Sequence, residues 1–181
     1  MLRSASLALL LTMAAASAGA EQRLAQATRA AAPASAQPDN TTATFGDWVH
    51  RCQQTPNGRS CEIAQSLIVQ GQQAPVALIA VGRPVKGEAI KVVVQLPPNL
   101  AFGTPLRIAL GEKDEGIPTT WQRCMPGGCL ADATMSDELM KRWRGQSEAG
   151  QLRYVDAANR PIALNFSLRG FSAAADALGR D

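Results

Sequence analysis

The 181-residue sequence contains few of the residue patterns on which enzyme active sites are usually recognised. It has a single histidine, His50, and only 4% of its residues are aromatic. It contains no Gly-x-Ser-x-Gly nucleophile elbow, no Gly-Lys-Ser/Thr phosphate loop and no dinucleotide fingerprint. Internal repeats and long runs of one charge are also absent, and the net charge is only +3. These absences exclude a coiled-coil or collagen rod and a polybasic nucleic-acid arm, while the length excludes a large multidomain enzyme.

The first twenty residues have the pattern of a cleavable secretory signal. Arg3 precedes an uncharged stretch from Ser4 to Ala16, and small residues lead to Ala20, after which we expect cleavage. No later segment approaches the roughly 18 apolar residues of a membrane helix. The first cysteine, Cys52, lies too far along for a bacterial lipid anchor. The pattern predicts a periplasmic protein, with the outer surface or secretion as alternatives.

Residues 21–43 are rich in Ala, Gln, Thr and Pro and have Leu24 as their one large aliphatic residue. Such a segment buries too little apolar surface to offset the entropy lost on ordering, so we expect a flexible linker. The alternative is a helix from Leu24 to Ala32, although a helix this short is marginal in water. The folded domain is then predicted to cover residues 44–181.

The domain shows mostly the two-residue periodicity of strands. Apolar residues alternate with others in Ile90–Leu96, Leu106–Leu110 and Ile162–Leu168. The run Ala74–Val81 is apolar on both faces, as in a central strand covered on both sides or a strand packed under a loop. Closely spaced Pro and Gly turns separate these runs. The pattern predicts an all-β fold, an antiparallel β-sandwich that is immunoglobulin-like in general architecture, with one or two short helices.

Two helices are predicted near the end of the chain. Ser136 is a good N-cap, acidic residues follow it, basic residues precede Gly145, and Met135 could pack on Met140 as a hydrophobic staple. Leu139, Met140 and Trp143 would then face the core. A second helical turn is expected from Ser172 to Leu178.

The four cysteines are most simply two disulfides, because the chain is predicted to be exported. Four cysteines allow three connectivities, and we expect local pairing of Cys52 with Cys61 and of Cys124 with Cys129, each across a short turn. A zinc site made of all four cysteines is one alternative, but their spacing lacks the two-residue knuckle of most structural sites. A redox-active Cys124–Cys129 pair is another, although it lacks the Cys-x-x-Cys spacing.

Other candidate residues have simpler structural interpretations. We expect His50 to be a structural histidine in a strand, and Asp114 and Glu115 to lie in a solvated turn rather than to form a glycosidase pair or a calcium site. The three tryptophans could line a sugar platform, but are better explained as core anchors: Trp48, Trp121 and Trp143.

Several motifs in order resemble the invasion-associated locus B proteins of Gram-negative bacteria. The motifs are Phe45-Gly46-Asp47-Trp48 leading to Cys52, Cys61-Glu62-Ile63, Pro105 to Leu110, Cys124-Met125-Pro126-Gly127-Gly128-Cys129 and Ser167-Leu168-Arg169-Gly170-Phe171. The resemblance implies a small exported β-sandwich with two local disulfides, of a family with a member implicated in host-cell entry. It implies no catalytic residue, cofactor or metal.

The sequence and the resemblance together favour a non-enzymatic protein that binds an envelope or host-surface protein, without nucleic acid and without an integral membrane segment. Two alternatives stay open. One is an enzyme acting on envelope glycans through Asp114 or Glu115 and a tryptophan. The other is a periplasmic chaperone or redox helper.

Overall fold

The computed structural model describes residues 38–84 and 87–181, which form two antiparallel sheets and two short helices. The larger sheet has seven strands in the order β1-β2-β3-β4-β5-β9-β8. In chain order these are β1 (Asn40–Phe45), β2 (Trp48–Thr55), β3 (Gly58–Leu67), β4 (Ala77–Gly82), β5 (Lys91–Leu96), β8 (Thr120–Met125) and β9 (Gly128–Thr134). The smaller sheet has the order β11-β10-β6-β7, from β6 (Arg107–Leu110), β7 (Ile117–Pro118), β10 (Gly150–Val155) and β11 (Pro161–Phe166).

The alternating runs of the sequence form strands with one buried face. In β5, Val92, Val94 and Leu96 are buried while the residues between them are half-exposed. The run that is apolar on both faces forms β4, which begins at Ala77 and lies between β3 and β5 as a central strand of the larger sheet. Burial on both sides explains its lack of alternation.

The helices are α1 (Asp137–Arg144) and α2 (Phe171–Leu178). The side chain of Ser136 accepts a hydrogen bond from the backbone N–H of Leu139 at 3.2 Å, which satisfies one of the free donors at the start of α1. Leu139 and Trp143 are buried, as the helical spacing predicts. The second helix, α2, begins at Phe171, one residue before the predicted start.

One core joins both sheets and both helices. Trp48 of β2 packs edge-on against Phe171 of α2, with ring centroids 5.1 Å apart. The ring centroid of Trp143 in α1 lies 5.2 Å from that of Phe171 and 5.2 Å from that of Phe166 on β11. The prediction of an all-β sandwich with one or two short helices is therefore confirmed, and the described residues form two helices.

The folded unit starts earlier in the chain than its predicted boundary at residue 44. The composition places Asn40 to Ala43 in the linker, but these residues belong to β1, which pairs with β2 along its whole length. This strand is polar and mostly exposed, so backbone pairing rather than apolar burial defines it. The predicted signal segment with Ala20, and the linker up to residue 37, lie outside the described residues.

Two glycines bring the start and the end of the domain into backbone contact. Gly46, in the β1–β2 turn, and Gly170, just before α2, have φ angles of 58° and 86°. A Cβ atom on Gly170 would lie 2.0 Å from the carbonyl oxygen of Phe45, and one on Gly46 would lie 2.6 Å from that of Arg169. The backbone N–H of Asp47 donates to the Arg169 oxygen at 3.1 Å. We call this contact between residues 45–47 and 169–170 the clasp.

The substitution Gly170→Val tests the clasp. Both the positive φ angle and the Phe45 carbonyl oppose a branched side chain, so we expect a loss of at least about 2–3 kcal/mol in the free energy of unfolding. The measurement is urea unfolding followed by tryptophan fluorescence. Gly103→Val is the matched control, because Gly103 has open space around its Cβ position, and it should change stability by no more than about 0.5 kcal/mol. Equal stability of the two variants would refute the clasp.

Candidate functional site

The cysteines form two local disulfides in separate parts of the larger sheet. Cys52 and Cys61 lie directly opposite each other on β2 and β3, with Cα atoms 4.0 Å apart. Cys124 and Cys129 lie opposite each other on β8 and β9, with Cα atoms 3.9 Å apart. The intervening strands β4 and β5 separate the two pairs, so they do not form a single four-cysteine cluster.

His50 lies beside the first of these disulfides. It is two residues before Cys52 in β2, so both side chains point to the same face of the sheet. Its Nε2 atom is 2.7 Å from a carboxylate oxygen of Asp181 and 3.6 Å from the Sγ atom of Cys52. His50 is buried except for 8% of its surface. The sequence predicted a structural histidine but gave no sign of its partner, which is 131 residues away.

The other end of the larger sheet carries three connecting segments. Strands β3, β5 and β8 run in the same direction, since an antiparallel neighbour separates each from the next. The β3–β4 loop (residues 68–76), the β5–β6 loop (residues 97–106) and the β8–β9 turn (residues 126–127) therefore leave the sheet at the same end. We call the surface formed by these segments and the last residue of β8, Met125, the loop end.

The loop end carries the exposed large apolar side chains of the described residues: Ile68, Val69, Phe102 and Met125. Ile68 exposes 62% of its surface and Phe102 exposes 51%. A depression of about 330 Å³ lies among these segments, lined in part by four prolines: Pro75, Pro97, Pro98 and Pro126. Neither the strand periodicity nor the local composition indicated that these four residues belong to one end of the sheet, because they come from segments far apart in the chain.

Trp121, near the start of β8, contacts the β5–β6 loop. Its ring meets Phe102 edge-on at 5.4 Å, and its indole N–H donates to the carbonyl oxygen of Thr104 at 3.3 Å. Trp48 and Trp143 are instead buried in the core, at 0% and 1% exposure. The three tryptophans therefore do not form a common sugar-binding platform.

The clasp also lies at this end of the larger sheet, because β1 runs in the same direction as β3. Arg169 donates hydrogen bonds to the carboxylate of Asp47, one of them at 3.0 Å. Hydrogen bonding from Arg169, with a smaller contribution from Ser167, lowers the pKa of Asp47 from 3.8 to about 2.

A buried glutamine connects the two sides of the clasp. The amide oxygen of Gln65 accepts a hydrogen bond from the backbone N–H of Ser167 at 2.8 Å. Its nitrogen donates to the carbonyl oxygens of Asp47 and Ser167 at 3.2 and 3.3 Å. The indole N–H of Trp48 donates to the same Ser167 oxygen at 2.9 Å. The two most distinctive motifs of the sequence thus build a structural contact, in which Gln65 was not foreseen.

Asp114 braces a turn of the smaller sheet. Its carboxylate accepts hydrogen bonds from the backbone N–H groups of Leu110 and Gly116 at 2.7 and 3.2 Å, and from Arg142 at 3.2 Å. Burial alone would raise the pKa of Asp114, but these hydrogen bonds outweigh it and lower the pKa. This geometry is that of a carboxylate occupied in holding a loop.

Comparison with known proteins identifies a family of similar chains. The family described as "Invasion associated locus B (IalB) protein" matches residues 48–179. Invasion protein B homologues of two Brucella abortus strains are each 27% identical over 135 residues, which is 74% of this chain and 76% of theirs.

A solved structure supports the fold. The crystal structure of invasion associated protein B from Bartonella henselae superposes with a TM-score of 0.66 at 22% sequence identity, covering 77% of this chain and 96% of that one. Among the described residues, neither helix is both long and apolar enough to cross a membrane.

The ion pair of the clasp predicts a dependence of stability on pH. Because the pKa of Asp47 is lower in the folded state, the pair stabilises the fold fully above about pH 5, and this contribution is lost as pH falls from about 4 towards 2. We expect Asp47→Asn to unfold more easily than the unmodified protein by up to about 1 kcal/mol at pH 7. The difference should shrink towards zero near pH 2.

The measurement is the free energy of unfolding in urea at a series of pH values. Arg169→Gln is the matched variant, because it removes the other half of the same pair, and its deficit should decrease over the same range. A deficit of Asp47→Asn that is independent of pH would contradict the role of the charge.

Proposed function

Because this chain belongs to the invasion-associated locus B family, we propose that it is an exported, non-enzymatic binding protein that contacts an envelope or host-surface protein through its loop end. The observation that carries this proposal is the collection of four exposed large apolar side chains at one end of the larger sheet. Exposed apolar surface that is rimmed by polar residues is typical of protein-interaction sites.

Export is supported by two independent features. The first twenty residues have the pattern of a secretory signal ending at Ala20. All four cysteines are paired in disulfides, which persist in oxidising compartments such as the periplasm and the cell surface. We propose that the chain is released into the periplasm and acts there or at the outer surface.

The loop end is held in a form suited to binding. Prolines fix the backbone of each of its three segments. The Cys124–Cys129 disulfide lies directly beside Met125 at the β8–β9 turn, and the Gln95 side chain donates to the carbonyl oxygen of Gly127 at 2.7 Å. A surface that is ordered before binding loses less conformational entropy on contact with its partner.

A non-enzymatic role is supported by the partners of the candidate catalytic groups. Asp114 is held by two backbone N–H groups and by Arg142. His50 is enclosed between a disulfide and Asp181. The family and its relatives also carry names that refer to invasion and to no reaction.

Site-specific crosslinking in intact cells tests the proposal. A photo-crosslinking phenylalanine analogue is placed at position 102, and a matched one at position 57, which is exposed in the β2–β3 turn at the opposite end of the sheet. We expect a defined envelope or host-surface protein to crosslink to position 102 and not to position 57. The variant Ile68→Asp should weaken that adduct, because a charge in an apolar contact is costly to desolvate.

Adducts that form equally at both positions would contradict the loop end as the binding surface. The absence of protein adducts at position 102, together with turnover of an envelope glycan by the purified protein, would favour the enzyme alternative.

A further inference from the structure

Four potential metal ligands converge where α2 ends against β2 and β3. Ligand atoms from His50, Cys52, Cys61 and Asp181 all lie within 4.8 Å of one another. Strand pairing sets three of these positions, because Cys61 lies opposite Cys52 and His50 is two residues away on the same face. The carboxylate of Asp181 reaches the group from the segment that follows α2.

This donor set matches the preferences of zinc-class cations. Such ions take four ligands in a tetrahedral arrangement from thiolates, imidazole and carboxylate. With Zn–S bonds of about 2.3 Å, two sulfur ligands on one ion lie about 3.8 Å apart, so the sulfurs must separate before they can bind. The disulfide therefore blocks the site in the oxidised protein, and His50 and Asp181 alone offer only two ligands.

We propose that reduction of the Cys52–Cys61 disulfide converts this cluster into a binding site for a thiophilic divalent cation of the zinc class. A dithiol or phosphine reductant supplies two electrons, the S–S bond breaks, and two protons are taken up to give two thiols. Binding of the cation then releases both thiol protons, and the two thiolates, the His50 imidazole and the Asp181 carboxylate complete the coordination.

Access and charge are consistent with this site. Cys61 and Asp181 line a depression of about 490 Å³ that opens to the surface near Thr55 and Asn57. With two thiolates and one carboxylate around a divalent cation, the site would carry a net charge of −1. Arg59 lines the same depression and would offset part of that charge.

The second disulfide provides a control within the same chain. Among the described residues, the cluster around Cys52 and Cys61 is the one group of three or more potential ligands, and the sequence has no histidine except His50. Reduction of Cys124–Cys129 therefore exposes two thiols without a nearby imidazole. The proposed site also differs from a four-cysteine zinc site, since each disulfide lies on its own strand pair.

Cobalt(II) titration of the purified protein tests the proposal, with zinc(II) as competitor. After reduction with a phosphine, Co²⁺ should produce a thiolate-to-cobalt charge-transfer band and the visible bands of tetrahedral coordination, and Zn²⁺ should abolish both. The oxidised protein should give neither. The double variant Cys124→Ser/Cys129→Ser should keep the bands, and Cys52→Ser/Cys61→Ser should lose them. Asp181→Asn should weaken binding at least about tenfold.

Circular dichroism of each reduced sample separates binding by the fold from binding by an unfolded chain. The proposal is overturned if the bands persist in Cys52→Ser/Cys61→Ser or if His50→Gln and Asp181→Asn both bind as the unmodified protein does. It is equally overturned if the reduced protein is unfolded and Zn²⁺ does not restore its native spectrum.

Discussion

The backbone contact between Gly46 and Gly170 is the constraint on which the arrangement of this domain depends. It joins the β1–β2 turn to the residue before α2, although the two are more than a hundred residues apart, and it tolerates no side chain at either glycine. With Gly170 in place, Phe171 reaches Trp48 of the larger sheet and Trp143 of α1. The clasp thus determines how the last helix closes the core between the two sheets.

Both candidate sites lie on the larger sheet, to which the clasp joins α2. At one end of the larger sheet, Gln65 bonds both sides of the clasp. The loop end, with its exposed apolar residues, lies at the same end of the sheet. At the other end, α2 brings Asp181 to His50 and the Cys52–Cys61 disulfide. A protein that presents a binding surface on loops needs such a scaffold, because loops have few contacts of their own.

Local patterns in the sequence were sufficient to predict several strands and the first helix. Alternation predicted β5 and the central position of β4, and the capping pattern around Ser136 predicted α1. The strand β1 was missed because its polar residues carry no burial signal and it exists through pairing with β2. The same holds for strand order, since the insertion of β9 beside β5 depends on contacts between distant segments.

The sites were less predictable than the fold, and for a related reason. The resemblance rested in part on the segments that contain Gly46 and Gly170, but only the structure shows that these two segments contact each other. No sequence motif around Asp181 or Gln65 predicts their hydrogen bonds, because their partners lie far away in the chain. The loop end likewise combines residues from three connections that the folded sheet brings to one side.

Native-state hydrogen exchange tests the central role of the clasp most directly. If the clasp fixes α2 to the sheet, the backbone N–H groups of Asp47, Ala174 and Gly179, which are hydrogen-bonded in the clasp and along α2, should exchange only through global unfolding. Their free energies of exchange should then equal those of buried β4 residues such as Ile79 and Val81. Exchange of the α2 groups through a local opening of much lower free energy, with β4 still protected, would contradict the account.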